Sequence, residues 1–165
     1  MKTNGSAYVA IVFAALFFYF GYQWWFNPSR AVKQRLGQVA GMLSVPENET
    51  DIARLGRLVR LRQYLDDDVR IRAGTEEIRS RDAVVGIAAA WRPQPGSGDV
   101  HFADVQVFIE SETAAHAYLA VELTRTDTSS GQPTVDSRDA SVSLAKRGGE
   151  WLITAAESKE MPSVH

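Results

Sequence analysis

Alternation and helical spacing divide the chain into a helical first half and a strand-rich second half. From Asp99 to Glu157 apolar residues recur at every second position, and the breaks fall at turn-forming residues. Ala103, Val105, Val107 and Ile109 alternate in phase with His101. After a turn at Glu110–Thr113, the set Ala115, Ala117, Leu119, Val121 and Leu123 follows. A longer turn spans Asp127–Pro133. Ala140, Val142 and Leu144 then alternate in phase with Asp136 and Arg138. Gly148-Gly149 makes a tight turn before Trp151, Ile153 and Ala155. Each of these four strands has one apolar and one polar face, as expected of an antiparallel sheet covered on one side.

The first half carries the cover. Val32, Leu36, Val39 and Leu43 fall on one helical stripe that starts after Asn27-Pro28-Ser29. Ile52, Leu55, Leu58, Val59 and Leu61 form the apolar face of a second helix running to about Tyr64. Arg62 projects near the centre of that face, where it either meets a carboxylate at a frayed end or points into a cavity. Val69, Ile71 and Ala73 alternate with Arg70 and Arg72 as a half-buried strand ending at Gly74, and Arg81 opens a third helix reaching about Trp91. The adjacent Asp66, Asp67 and Asp68 read as turn and strand-start chemistry, because consecutive residues rarely converge on one ion and no EF-hand spacing follows.

Ser6 to Phe26 contains no charge and one polar interruption, Gln23, and ends in Tyr22, Trp24, Trp25 and Phe26. About 21 residues at 1.5 Å each match a hydrocarbon core of about 30 Å, and the aromatics match an interfacial belt. An uncleaved single span is expected. A signal peptide is the rival, but it would end at small residues rather than bulky aromatics. The expected division is a tail and transmembrane anchor over 1–26, one α+β domain over 27–158 and a tail over 159–165. The short tail is expected inside and the domain outside the cytoplasm.

Composition narrows the chemistry. The chain has 165 residues, formal net charge −2, no Cys and three His. No Cys means no disulfide, thiolate nucleophile or Cys-ligated metal, and the balance of charge argues against nucleic acid as a partner. No phosphate loop, dinucleotide fingerprint, zinc-protease motif or nucleophile elbow is present, and neither a metal nor a cofactor is expected. If the apolar faces stay together around the Glu110–Thr113 turn, His101 comes near Leu123, and Leu123 near Asp136 or Arg138. His101, Asp136 and Arg138 are thus the candidate ligand-binding cluster, at one end of the sheet's apolar face. The rival reading is a solvated rim of ordinary ion pairs. His116 falls on the opposite face.

The order helix, helix, strand, helix, then four strands resembles the nuclear transport factor 2-like, or SnoaL-like, superfamily. Three stretches carry the likeness: Tyr64-Leu65-Asp66-Asp67-Asp68-Val69, Ile78-Arg79-Ser80-Arg81-Asp82-Ala83-Val84 with Ser80 in place of the usual Gly, and Gly149-Glu150-Trp151-Leu152-Ile153. The resemblance implies a cone in which a bent sheet wraps the helices around a pocket. Isomerase-like members place a catalytic Asp where this chain has Arg72 or Ala73, and neither can act as a carboxylate base. The expected function is therefore a membrane-anchored, non-catalytic module binding a small apolar ligand or a protein, with a homodimer left open. The alternative is a cyclase, hydratase or isomerase acting on an apolar substrate.

Overall fold

A computed structural model describes residues 5–25, 27–91, 97–126 and 130–158. Helix α1 (Gly5–Trp25) leads into α2 (Pro28–Leu43) and α3 (Asp51–Arg62). Strands β1 (Leu65–Ala73) and β2 (Glu76–Arg79) precede α4 (Arg81–Ala90). The four long strands follow as β3 (Gly98–Ser111), β4 (Ala114–Thr126), β5 (Pro133–Arg147) and β6 (Glu150–Ser158). Among the described residues no helix is long and apolar enough to cross a membrane. Within α1, side chains are described over residues 10–22.

Side-chain caps start the helices. Asn27 Oδ1 accepts from Ser29 N at 3.0 Å with Pro28 in the first turn, and Thr50 Oγ1 accepts from Ala53 N at 3.2 Å. The register of α3 on α2 is set by Arg57, whose side chain runs inward. Its Nε and Nη2 grip Glu49 at 2.6 and 3.0 Å, and Nη1 donates to the Met42 carbonyl at 2.7 Å. Arg35 makes the second tie, from α2 to the Gln63 carbonyl, the Trp151 carbonyl and Glu150, with its guanidinium 4.1 Å from the Tyr64 ring centroid. Two arginines thus lock the helix pair to each other and to β6.

The sheet is broader than four strands. Its six strands lie in the order β2-β1-β6-β5-β4-β3, antiparallel except where β1 meets β6. The strand ends before Gly74 as expected, but the chain turns there (φ 60°) and returns as β2, a strand the sequence pattern does not announce. Glu76-Glu77-Ile78-Arg79 offers one apolar residue, too little to show alternation. One face carries the core: Val32, Leu36 and Val39 of α2, Leu61 of α3 and Val84 of α4 pack on Val69, Ala115, Ala117, Leu119, Val142, Leu144, Trp151 and Ile153. The strands bearing these residues are interrupted by bulges between Ala103 and Gln106 and between Ser143 and Leu144, which bend a sheet locally.

Ser80 caps α4, its Oγ accepting from Ala83 N at 3.3 Å, but its φ of 81° lies where side chains other than Gly are strained. A Gly there would give up a cap hydrogen bond worth a few tenths of a kcal/mol and relieve roughly 1 kcal/mol of strain. Ser80→Gly is therefore expected to raise the melting temperature by about 1–3 °C, read by thermal unfolding followed by circular dichroism; a lower melting temperature would mean that the cap outweighs the strain.

Candidate functional site

The structure separates the predicted cluster. Cross-strand partners share a face, and Val100, not His101, pairs with Leu123. His101 pairs instead with Glu122, which pairs with Ser137. Asp136 pairs with Leu123 and Arg138 with Val121, on the face that carries the core. His101 therefore lies on the opposite face from Asp136 and Arg138. The cause is the bulge at Asp104, whose φ of 51° inserts a residue and inverts the alternation. Upstream of it Val100 and Phe102 take the core side; downstream Val105, Val107 and Ile109 do. Asp136 and Arg138 pair with each other at 3.4 Å, with side chains 43% and 53% exposed, at the solvated rim. His101 is exposed beside a groove of about 370 Å³ between α2 and β3.

Other charged positions resolve into pairs. Arg62 bonds Asp82 at 2.5 Å and faces solvent rather than a cavity. The three adjacent aspartates diverge: Asp66 takes Arg147 Nε at 2.5 Å and the Asp68 amide at 3.1 Å, while Asp67 pairs with Arg81. Burial pushes the Asp66 carboxyl up, and its hydrogen bonds from the Asp68 amide and Arg147 more than offset this, leaving it below the ordinary value. No group of His, Asp and Glu suited to a metal occurs among the described residues.

What remains is the face of the sheet that the helices leave open. Following the pairing across it, one rung runs Phe108, His116, Ser143, Ala155, Arg70 and Arg79, and the next runs Gln106, Tyr118, Ser141, Glu157, Arg72 and Glu77. Phe108 and Tyr118 are each 53% exposed and meet edge to face, with centroids 5.9 Å apart. His116 lies 4.7 Å from the Tyr118 centroid, with Nδ1 3.2 Å from Ser143 Oγ. Two shallow grooves lie beside this ridge and share His116, Ser141 and Glu157: one of about 590 Å³ also lined by Asp104 and Asp139, the other of about 240 Å³ also lined by Arg70 and Arg72.

Chemically the surface is suited to recognition. His116 touches a hydroxyl, but among the described residues no carboxylate is bonded to its other nitrogen to orient it, and the grooves open to solvent rather than excluding it. Sequence reading placed His116 on this face and missed the ridge. The signal was there: Phe108 sits out of phase between Val107 and Ile109, and Tyr118 between Ala117 and Leu119. Bulky aromatics at solvent-phase positions mark a contact surface.

No protein-family model matches the chain, and no curated protein matches it. Solved structures do. An NTF2-like protein with a cystatin-like fold from Novosphingobium aromaticivorans aligns with a TM-score of 0.67 at 9% identity, covering 88% of this chain and 90% of that one. A putative scytalone dehydratase from the same organism aligns at 0.62 and 15% identity, covering 82% and 87%. An NTF2-like protein of unknown function from Pseudomonas putida aligns at 0.61 and 12%, covering 82% and 87%. At these identities the likeness establishes the architecture: the domain has the NTF2-like, cystatin-like fold, with helices on one face of a largely antiparallel sheet.

Proposed function

We propose that this chain is a membrane-tethered, non-catalytic NTF2-like domain that binds its partner through the open face of its sheet. The observation that carries the binding role is the exposed Phe108–Tyr118 ridge on the sheet face opposite the helices. The centre of the domain is occupied by Leu36, Leu61, Val69, Leu144, Trp151 and Ile153, each at most 6% exposed. A neighbour named for an enzyme, a putative scytalone dehydratase, shares the fold at 15% identity. Of the two positions where the resemblance would put an acid, Arg72 lies on the open face and Ala73 carries no ionisable group.

The tether rests on α1. The sequence from Ser6 to Phe26 carries no charge, and a helix of about 21 residues is about 32 Å long, whereas the described part of α1 taken alone falls short of a span. Ile11, Phe13, Phe17, Phe18 and Phe20 are 63–83% exposed. A helix that presents apolar groups in every direction needs an apolar surrounding, and a bilayer supplies it. In this reading the domain lies on the extracytoplasmic side.

The full chain is expected to stay with membranes through alkaline carbonate washing, and deletion of residues 1–26 to release a soluble, folded domain. Recovery of the intact chain in the wash would rule out the tether, and aggregation of the shortened chain would rule out the domain boundary. Because the chain has no Cys, a Cys introduced at exposed Val135 reports the side of the membrane by labelling with an impermeant maleimide.

A further inference from the structure

Helix α3 carries two apolar stripes, and the core uses one of them. At about 100° per residue, its inward side holds Leu58 and Leu61, both buried. Its outward side holds Ile52, Leu55 and Val59 at successive turns, 86%, 65% and 53% exposed. A Cβ added at Gly56, on the same side, would meet no side chain and no other element within 4 Å. Helix α4, which packs on α3, continues this surface. Its Ile87 is 52% exposed, and the exposed Ala83, Gly86 and Ala90 share that outer side. A helix that is apolar on both sides calls for a cover on both, and none of the described residues covers this one.

Arginines border the stripe. Arg60 lies on one flank and Arg62 on the other. Arg62 is bonded to Asp82, and Asp51, the one carboxylate of α3, to Arg54. Arg60 donates Nε to the Gly56 carbonyl and makes no ion pair among the described residues. The surface is therefore uncharged at its centre and cationic at its margin. A bilayer with anionic headgroups is complementary to such a surface: the apolar side chains enter the interface while the guanidiniums stay among the phosphates.

From this complementarity we infer that the outer face of α3 and α4 docks on the surface of the membrane that anchors the chain, with anionic lipid as its partner. The inference rests on the tether proposed above, which supplies the reach. Helix α1 ends at Trp25 and α2 begins at Pro28, so the domain starts within about 10 Å of the anchor. Helix α3 then runs back along α2. Arg57 meets the Met42 carbonyl at the far end of α2, whereas Arg35, about two turns from Pro28, bonds the Gln63 carbonyl that closes α3. The Val59–Arg62 end of α3 thus lies towards the anchored end of α2, where Arg30 and Lys33 add cations. Docking also orients the sheet. Leu61 and Val84 point into the core, so a bilayer against the outer side of α3 and α4 leaves the Phe108–Tyr118 ridge facing away from the membrane, open to its own partner.

Because the chain has no Cys, single cysteines at Leu55 and Ile87 can carry a nitrobenzoxadiazole dye, with exposed Val135 on β5 as the control. The full chain is placed in vesicles of phosphatidylcholine and phosphatidylglycerol, nitroxide-labelled lipid is the quencher, and circular dichroism checks the fold of each variant. Dye at Leu55→Cys and at Ile87→Cys is expected to be quenched about threefold more than dye at Val135→Cys. Adding Arg60→Glu, or using phosphatidylcholine alone, is expected to lower the ratio of docked to free domain about tenfold. Dye that stays in water at both sites, as it would on a face reserved for a protein, overturns the inference. So does shielding that is lost when chains are diluted in lipid and is accompanied by energy transfer between copies, which would place a second copy there. Equal quenching with and without phosphatidylglycerol overturns the assignment to anionic lipid. Carbonate washing of the same vesicles reads the tether separately: chains retained with the dye in water keep the anchor and lose the docking, and chains washed out after being quenched do the reverse.

Discussion

Glu49→Ala is expected to destabilise the domain by about 3 kcal/mol, because it strands a buried charge. The Arg57 side chain is 7% exposed, and its Nε and Nη2 have Glu49 as their partner. Removing Glu49 leaves the Met42 carbonyl as the single hydrogen-bond partner described for that guanidinium. Arg57→Leu is expected to cost less in the double variant with Glu49→Ala than alone, since removing both charges removes the penalty. Thermal unfolding measures each; a Glu49→Ala variant as stable as the parent would show that water reaches the site.

The same pair sets the acid response. The hydrogen bond from Arg57 holds the Glu49 carboxyl below its ordinary value of 4.5, against burial, with the charges of Arg57 and Arg54 adding to the effect. A carboxyl with a lowered folded-state pKa stabilises fully above its unfolded value and loses that contribution as pH falls through the folded value. Stability should therefore be flat near neutrality and decline below about pH 4.5. Glu49→Gln should flatten that decline without abolishing it, because Asp66 is lowered as well.

Trp151→Ala is expected to have the largest effect, about 4 kcal/mol, enough to unfold a domain of ordinary stability. The indole is 5% exposed within the cluster that joins helices to sheet. Lys146 Nζ lies 6.0 Å from its centroid, and its carbonyl anchors Arg35. Truncation opens a large void at the place where α2 and β6 meet. Trp151→Phe should recover more than half of the loss, as measured by urea denaturation. Equal losses for Phe and Ala would point to the indole N–H rather than the volume.

These effects fall on residues of very different visibility in the sequence. Trp151 is legible, since it opens a strand with Ile153 in phase. The helix stripes of α2 and α3, and the inward faces of β4 and β5, are legible for the same reason: regular elements impose a period on burial. Arg57 is not, because an arginine on a helix flank looks solvated until the partner at Glu49 is placed. Nor is the bulge at Asp104. A bulge changes the phase of alternation without leaving a gap in it, so His101 reads as a neighbour of Leu123 and is not one. The candidate site inherited that error, while the ridge of Phe108 and Tyr118 was hidden by treating the open face as merely polar.

The parallel joint between β1 and β6 has a consequence for biogenesis. Arg70 pairs with Ala155 and Arg72 with Glu157, about 85 residues later in the chain, so β1 has no partner on that side until β6 has been made. The helices and the other strands precede β6, so the sheet closes only after β6 has left the ribosome. Contacts this distant in sequence slow folding and expose strand edges meanwhile. Chains stalled before Glu150 are therefore expected to keep the β1–β2 hairpin and remain protease-sensitive, a vulnerability that ends when the final strand slots into the middle of the sheet.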